Sequence, residues 1–137
     1  MALDIKKVEY FKVKVKDHKG EGYKILSAFA EVGISWYAYK AITLDEENTQ
    51  FLLFPNDTRK MVSGATQSGI DIDGPFYAIL IKGGDESGAL ADIYEKLATA
   101  DIRLVESFGI ADINDGYGVV IFLEKDDCDK AINALNE

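Results

Sequence analysis

Cysteine and histidine are nearly missing from this chain: of 137 residues, Cys128 and His18 are the only ones of their kind. A single cysteine excludes an intramolecular disulfide and a thiolate zinc cluster, and it points to a reducing compartment. One histidine and one cysteine, 110 positions apart, give no recognisable nucleophile and base. With one cysteine there is also no Cys-x-x-Cys pair to hold copper. Nothing approaches the roughly 18 consecutive apolar residues of a membrane span, and Met1 to Lys7 lacks the apolar core of a secretion signal. Positive charge is scarce as well. Fifteen Lys and Arg stand against 24 Asp and Glu, and a net charge of −9 opposes binding to phosphate backbones and anionic lipid. The expectation is a soluble cytoplasmic protein with no nucleic-acid or membrane partner, no cofactor, no metal and no catalysis.

What is present is a strand, a glycine turn and a helix, written twice. Phe76 to Lys82 is a short apolar run, and it ends at Gly83-Gly84-Asp85-Glu86-Ser87-Gly88. Beyond it Leu90, Ile93, Tyr94 and Leu97 recur at helical spacing. An ungapped offset of 68 residues places Gly20 on Gly88, Asp17 on Asp85, Lys14 on Lys82, Ile25 on Ile93 and Phe54 on Phe122. Asp-x-x-Gly thus stands twice between a strand and a helix, and the chain reads as a duplication. Residues 1–75 carry 10 bases and 11 acids, whereas residues 76–137 carry 5 and 13, so the acidity sits in the second half.

In the first half, Phe11, Val13 and Val15 alternate with Lys12, Lys14 and Lys16, the period of a half-buried strand, after a short lead that reads as loosely ordered. Ile25, Leu26, Phe29 and Val32 make an apolar helical stripe that Gly33 closes. Residues 34–44 and 49–54 read as a hairpin around Asp45 to Asn48. A helix over 58–67 follows, with its N-cap within Pro55-Asn56-Asp57, and 69–73 reads as a short fourth strand. The second half repeats this order, with Asn114-Asp115-Gly116 as its hairpin turn and its last helix over 126–135. A fourth strand would then begin past residue 137. Its sheet edge is expected to be filled by Leu3 to Ile5 or covered by a partner. The cluster Asp126-Asp127-Cys128-Asp129 lacks the alternating oxygen-ligand spacing of a calcium loop and reads as a helix cap.

The β-α-β-β-α-β order gives α+β architecture: two ferredoxin-like sandwiches in tandem, antiparallel sheets with helices on one face, over residues 8–74 and 75–137. The loops Val15 to Gly20 and Lys82 to Gly88, each followed by an amphipathic helix and then Gly33-Ile34-Ser35 or Asp101-Ile102-Arg103, resemble those of the ACT domain. The resemblance spans nearly the whole chain as two copies. It departs where that family often has proline before the glycine, since Lys19 and Ser87 stand there. It implies a regulatory, allosteric protein that binds a free amino acid or similar zwitterion, associates as a homodimer and passes the signal to itself or a protein target. Carried over by position, the implied ligand-binding residues are Asp17, His18, Lys19, Gly20 and Ser35 in one copy. In the other they are Asp85, Glu86, Ser87, Gly88, Ala89 and Arg103.

The physical case is that helix-start N–H groups beside an acid offer an anion site and a cation site a few ångströms apart. The plainer reading is that Asp85 or Ser87 caps its helix. Arg103 is either a carboxylate clamp or an exposed strand residue, and His18 either a contact or a solvated loop residue. Lys12, Lys14 and Lys16 near Trp36, Tyr37 and Tyr39 lack the central-strand motif of a base-stacking sheet. The competing function is a structural or protein-interaction module that uses its sheet face without ligand.

Overall fold

The computed structural model describes residues 3–16, 19–84, 88–111, 116–124 and 127–137. Ten elements follow in order: β1 Asp4–Lys16, α1 Glu21–Glu31, β2 Trp36–Thr43, β3 Asn48–Pro55, α2 Thr58–Ser68, β4 Asp73–Gly83, α3 Ala89–Thr99, β5 Leu104–Ala111, β6 Tyr117–Leu123 and α4 Cys128–Leu135. They form two compact units. Glu9–Phe76 is called the first here, and Tyr77–Glu137 with Met1–Val8 the second.

In the first unit the strands run β2-β3-β1, all antiparallel, with Phe11 opposite Leu53, Val13 opposite Phe51 and Thr43 opposite Thr49. Phe11, Val13 and Val15 turn inward, as their alternation requires, and meet Phe29 from α1 and Met61 and Ala65 from α2. Gly64 lets α2 come close, because a Cβ there would lie 2.9 Å from a Val32 methyl. Asp57 caps α2 by accepting from the Lys60 N–H at 3.1 Å. Gly69, at φ 67°, then ends the helix, and the Ile70 N–H donates to the Ala65 carbonyl at 2.9 Å.

Residues 69–72 are therefore a connection, not the short strand expected at 69–73, and strand begins only at Asp73. Ile70 and Ile72 look strand-like because they alternate. They are instead partly buried plugs against this core, held down by the helix-ending turn.

The second unit orders its strands β4-β6-β5, with Ile79 opposite Ile121, Ile81 opposite Val119 and Ala111 opposite Tyr117. Each pair is the first unit's pair moved by 68 residues, and the strand bulges recur at Trp36/Ala38 and Leu104/Glu106. The α1 and α3 exits match as well: the Ile34 N–H donates to the Phe29 carbonyl at 3.2 Å and the Ile102 N–H to the Leu97 carbonyl at 2.9 Å. Ile79, Ile81, Ile93, Leu97, Ile121 and Ala131 fill this core, with Leu3 and Ile5 packed against it. Residues 4–8, expected as a loose lead, are strand, and apolar burial of Leu3 and Ile5 holds them. Asp127 stands at the N-cap of α4 but makes no side-chain cap hydrogen bond, so the acid run there does not cap through it. Asn114 and Asp115 lie outside the described residues.

The β2–β3 turn is closed by one carboxylate. Asp45 Oδ1 accepts from the backbone N–H groups of Glu47 and Asn48, each at 2.8 Å, and from Asn48 Nδ2 at 3.1 Å. These donors, the Glu47 N–H foremost, hold its pKa below the ordinary 3.8. Since folding lowers this pKa, the turn's stabilisation is complete above the unfolded value and fades as pH falls through the folded one. Asp45→Ala is accordingly expected to lower the melting temperature at neutral pH, with the gap closing in melts taken at progressively lower pH. A gap independent of pH would contradict this.

Candidate functional site

Both helices that follow a first strand begin on a left-handed glycine. Gly20 has φ 88° and Gly88 φ 86°, a region costly for any residue with a Cβ. Their carbonyls accept the first helical bonds, from Lys24 N–H and Asp92 N–H, both at 3.0 Å. Neither glycine can offer a side-chain cap, so the N–H groups of Ala89, Leu90 and Ala91 open α3 with the partial positive charge of a helix start. Asp17, His18, Asp85, Glu86 and Ser87 lie outside the described residues, and the plainer capping reading of Asp85 or Ser87 lies there with them.

Beside the α3 entrance is an open cleft of about 410 Å³. Gly88, Ala89, Leu90 and Ala91 wall one side; the ends of β5 and β6 form the rest, through Gly109, Ile110, Ala111, Tyr117, Gly118 and Val119. Gly109 pairs with Val119 and Ala111 with Tyr117, so strand alternation puts these four on one face. The space exists because Gly109, Ala111, Ala89 and Ala91 are small. Tyr94 of α3 and Ser107 of β5 share a hydroxyl hydrogen bond at 2.5 Å, which fixes the helix over the strand that floors the cleft.

In the first unit an aromatic ring stands at the matching corner. Phe51 stands where the second has Val119, and its Cζ lies 3.1 Å from where a Cβ on Gly22 would be. At Gly22's place the second unit has Leu90. A ring against a glycine in one unit thus corresponds to a valine and a leucine flanking a cleft in the other.

Of the residues carried over by resemblance, Gly88 and Ala89 line this cleft. Gly20 caps α1, and Lys19 is exposed beside it. Ser35 sits before β2, its N–H donating to Asn56 Oδ1 at 3.0 Å and its carbonyl accepting from the Asn56 N–H at 2.9 Å. Arg103 is exposed just before β5. From Leu104, opposite Leu123, to Ala111, opposite Tyr117, β5 runs about 23 Å at ~3.3 Å per residue. Arg103 therefore does not reach the α3 entrance of its own unit, and Ser35 is likewise at the far end from Gly20. Gly109, Ala111, Tyr117 and Val119 were not named as site residues from sequence, and Leu90 was named only for its helical spacing. The available signal was glycine inside β5 and β6, which marks a place where something comes close to the backbone.

No family model matches the chain, and no curated protein matches it in sequence. Solved structures do. Protein BT0572 from Bacteroides thetaiotaomicron superimposes with a TM-score of 0.82 at 16% identity, over 96% of this chain and 88% of that one. The aspartokinase alpha and beta subunits give 0.64 at 17%, over 99% and 95%. The ligand-free regulatory subunit of aspartate kinase from Thermus thermophilus gives 0.62 at 14%, over 98% and 93%.

The fold is ACT-like. At such identities the likeness is one of fold, and the chemistry rests on the residues in place. Among the described residues no group of three or more His, Cys, Asp or Glu is placed to hold a metal, and no helix is long and apolar enough to cross a membrane. The described cleft lining of this ACT-like chain has no charged side chain. Burial pushes the Cys128 thiol above its ordinary pKa of 9.0, which keeps it in the unreactive protonated form at neutral pH.

Proposed function

We propose that this chain is a tandem ACT-like regulatory module that binds a free amino acid in the cleft at the α3 entrance and signals by altering its association with itself or a protein target. It carries out no catalysis. The open cleft beside the helix-start N–H groups of α3 supports this reading above anything else: the amides hold a carboxylate, and the space beside them takes the remainder of a small molecule. Solved structures that share the fold include a regulatory subunit of aspartate kinase, which fits a regulatory role. The two repeats are assigned residues 8–74 and 75–137, with a homodimer as the associating species. The loop acids Asp85 and Glu86, with Ser87, supply the partner for the ligand's ammonium group.

About nine non-hydrogen atoms at ~0.6–0.8 kcal/mol each give roughly −6 kcal/mol, or tens of micromolar. A melting screen against the twenty amino acids tests this, because a ligand at about 100 times its dissociation constant adds about 2.7 kcal/mol. Titration calorimetry should then give one ligand per chain, since the Phe51 ring stands where the second unit has Val119 beside its cleft. Two equivalent sites would contradict that assignment.

A docking module without ligand is the second reading. Tyr39 is 62% and Val105 64% exposed on the outer strands β2 and β5, surfaces that suit a protein partner. A flat melting screen would favour it.

A further inference from the structure

We infer that Gly83 is a positioning residue for the cleft at the α3 entrance, which it keeps open by giving the Tyr117 ring a place to lie; that a ligand then uses the space rests on the amino-acid reading above. In the second unit β6 runs between β4 and β5, with Gly83 opposite Tyr117 on one side and Ala111 opposite it on the other. The three form one row across the core-facing side of the sheet, since Ile81 and Ile79, two and four positions before Gly83, lie in that core and Tyr117 packs against it. The Tyr117 ring lies over the glycine end of this row: a Cβ on Gly83 would stand 2.7 Å from the Tyr117 hydroxyl oxygen and 2.8 Å from its Cζ. At the other end is Ala111, which with Tyr117 lines the cleft. A glycine inside a strand leaves such room for a neighbouring group. A side chain at position 83 displaces the ring, because the phenol end of a tyrosine swings about χ1 more cheaply than paired strands move apart. The space open to it is the cleft, over Ala111. In the first unit the same row is Val15, Thr49 and Thr43, so a valine faces a threonine there and no ring needs a seat.

The first measurement needs no ligand. Ala111→Cys puts an exposed thiol at the cleft end of the row, and N-ethylmaleimide reads its accessibility in the intact chain. The native Cys128 is buried with its thiol pKa raised, so the parent chain supplies the background rate. Gly83→Ala added to Ala111→Cys should slow labelling at least about fivefold as the ring moves over position 111. Tyr117→Thr added to that pair should restore the rate. Tyr117→Thr with Gly83 kept should change the rate by less than about twofold, because the ring already lies off Ala111. A rate that Gly83→Ala leaves unchanged in a chain that still melts cooperatively, or no recovery with Tyr117→Thr, would overturn the assignment. So would a large rise with Tyr117→Thr alone, an arm that stands even where Gly83→Ala fails to fold. The second measurement is calorimetry with the amino acid that shifts the parent's melt most. Gly83→Ala should weaken it at least about tenfold, and Tyr117→Thr should recover most of the loss. Labelling as expected in a chain that binds no amino acid removes the amino-acid reading and keeps the role of Gly83. Unchanged labelling in a chain that binds one does the reverse.

Discussion

Phe29→Ala should lower the melting temperature by about 10–20 °C, corresponding to a loss of about 3–5 kcal/mol for removing a buried phenylalanine. Phe29 is fully buried, and its ring meets Trp36 edge-on with centroids 5.7 Å apart. Its other side approaches Gly64, where a Cβ would sit 3.8 Å from the Phe29 ring, so the ring lies where α1, α2 and the sheet converge. Gly64 is itself confined by Val32, so α2 has little room to slide in and fill the hole. The cost should therefore fall in the upper part of that range. Since a domain is stable by only about 5–15 kcal/mol, the variant should show a measurable unfolded fraction by circular dichroism at room temperature in mild denaturant. Tyr23→Ala on the same helix, where Tyr23 is 76% exposed, should change stability by no more than about 0.5 kcal/mol. A Phe29→Ala loss equally small would mean that this core is not packed as described.

Where the sequence was legible, two periods and one offset carried the information. Phe11, Val13 and Val15 at every second position, against exposed Lys14 and Lys16, could only be a strand with one wet face, and those three valine and phenylalanine side chains are buried. The 68-residue offset reappears in paired residues, in bulges and in both helix entrances, because equal spacings of apolar side chains and glycines impose equal backbone paths. Residues 4–8 were obscure because the alternation of Leu3 and Ile5 breaks at Lys6-Lys7, and their burial depends on a core formed some 75 residues later in the chain. Ile70 and Ile72 misled for the opposite reason, with a strand-like alternation in a segment whose path is set by the Gly69 turn. At the site, the helix-opening glycines were visible as chemistry. The cleft was not, since it depends on pairing a helix residue with a residue two strands away, and no local window contains both.

That pairing can be exchanged, with the largest functional effect expected of any change here. Val119→Phe with Leu90→Gly gives the second unit the ring and the glycine that the first has at Phe51 and Gly22. Both changes are needed. Phenylalanine alone would meet Leu90, whereas the glycine leaves the room that Phe51 uses in the first unit, where its Cζ lies 3.1 Å from the missing Cβ. The glycine in a helix costs about 1 kcal/mol, which the ring's added burial offsets in part, so the double variant should fold and melt within a few degrees of the parent. On the amino-acid reading proposed above, binding should fall at least about 100-fold, because the ring occupies the volume the ligand's side chain needs. Phe51→Val probes the reverse and should open a second corner at a stability cost of about 1–3 kcal/mol. Calorimetry reads both. If the double variant stays folded and binds as the parent does, the ligand is not held between α3 and β6, and a site built from other residues must take its place.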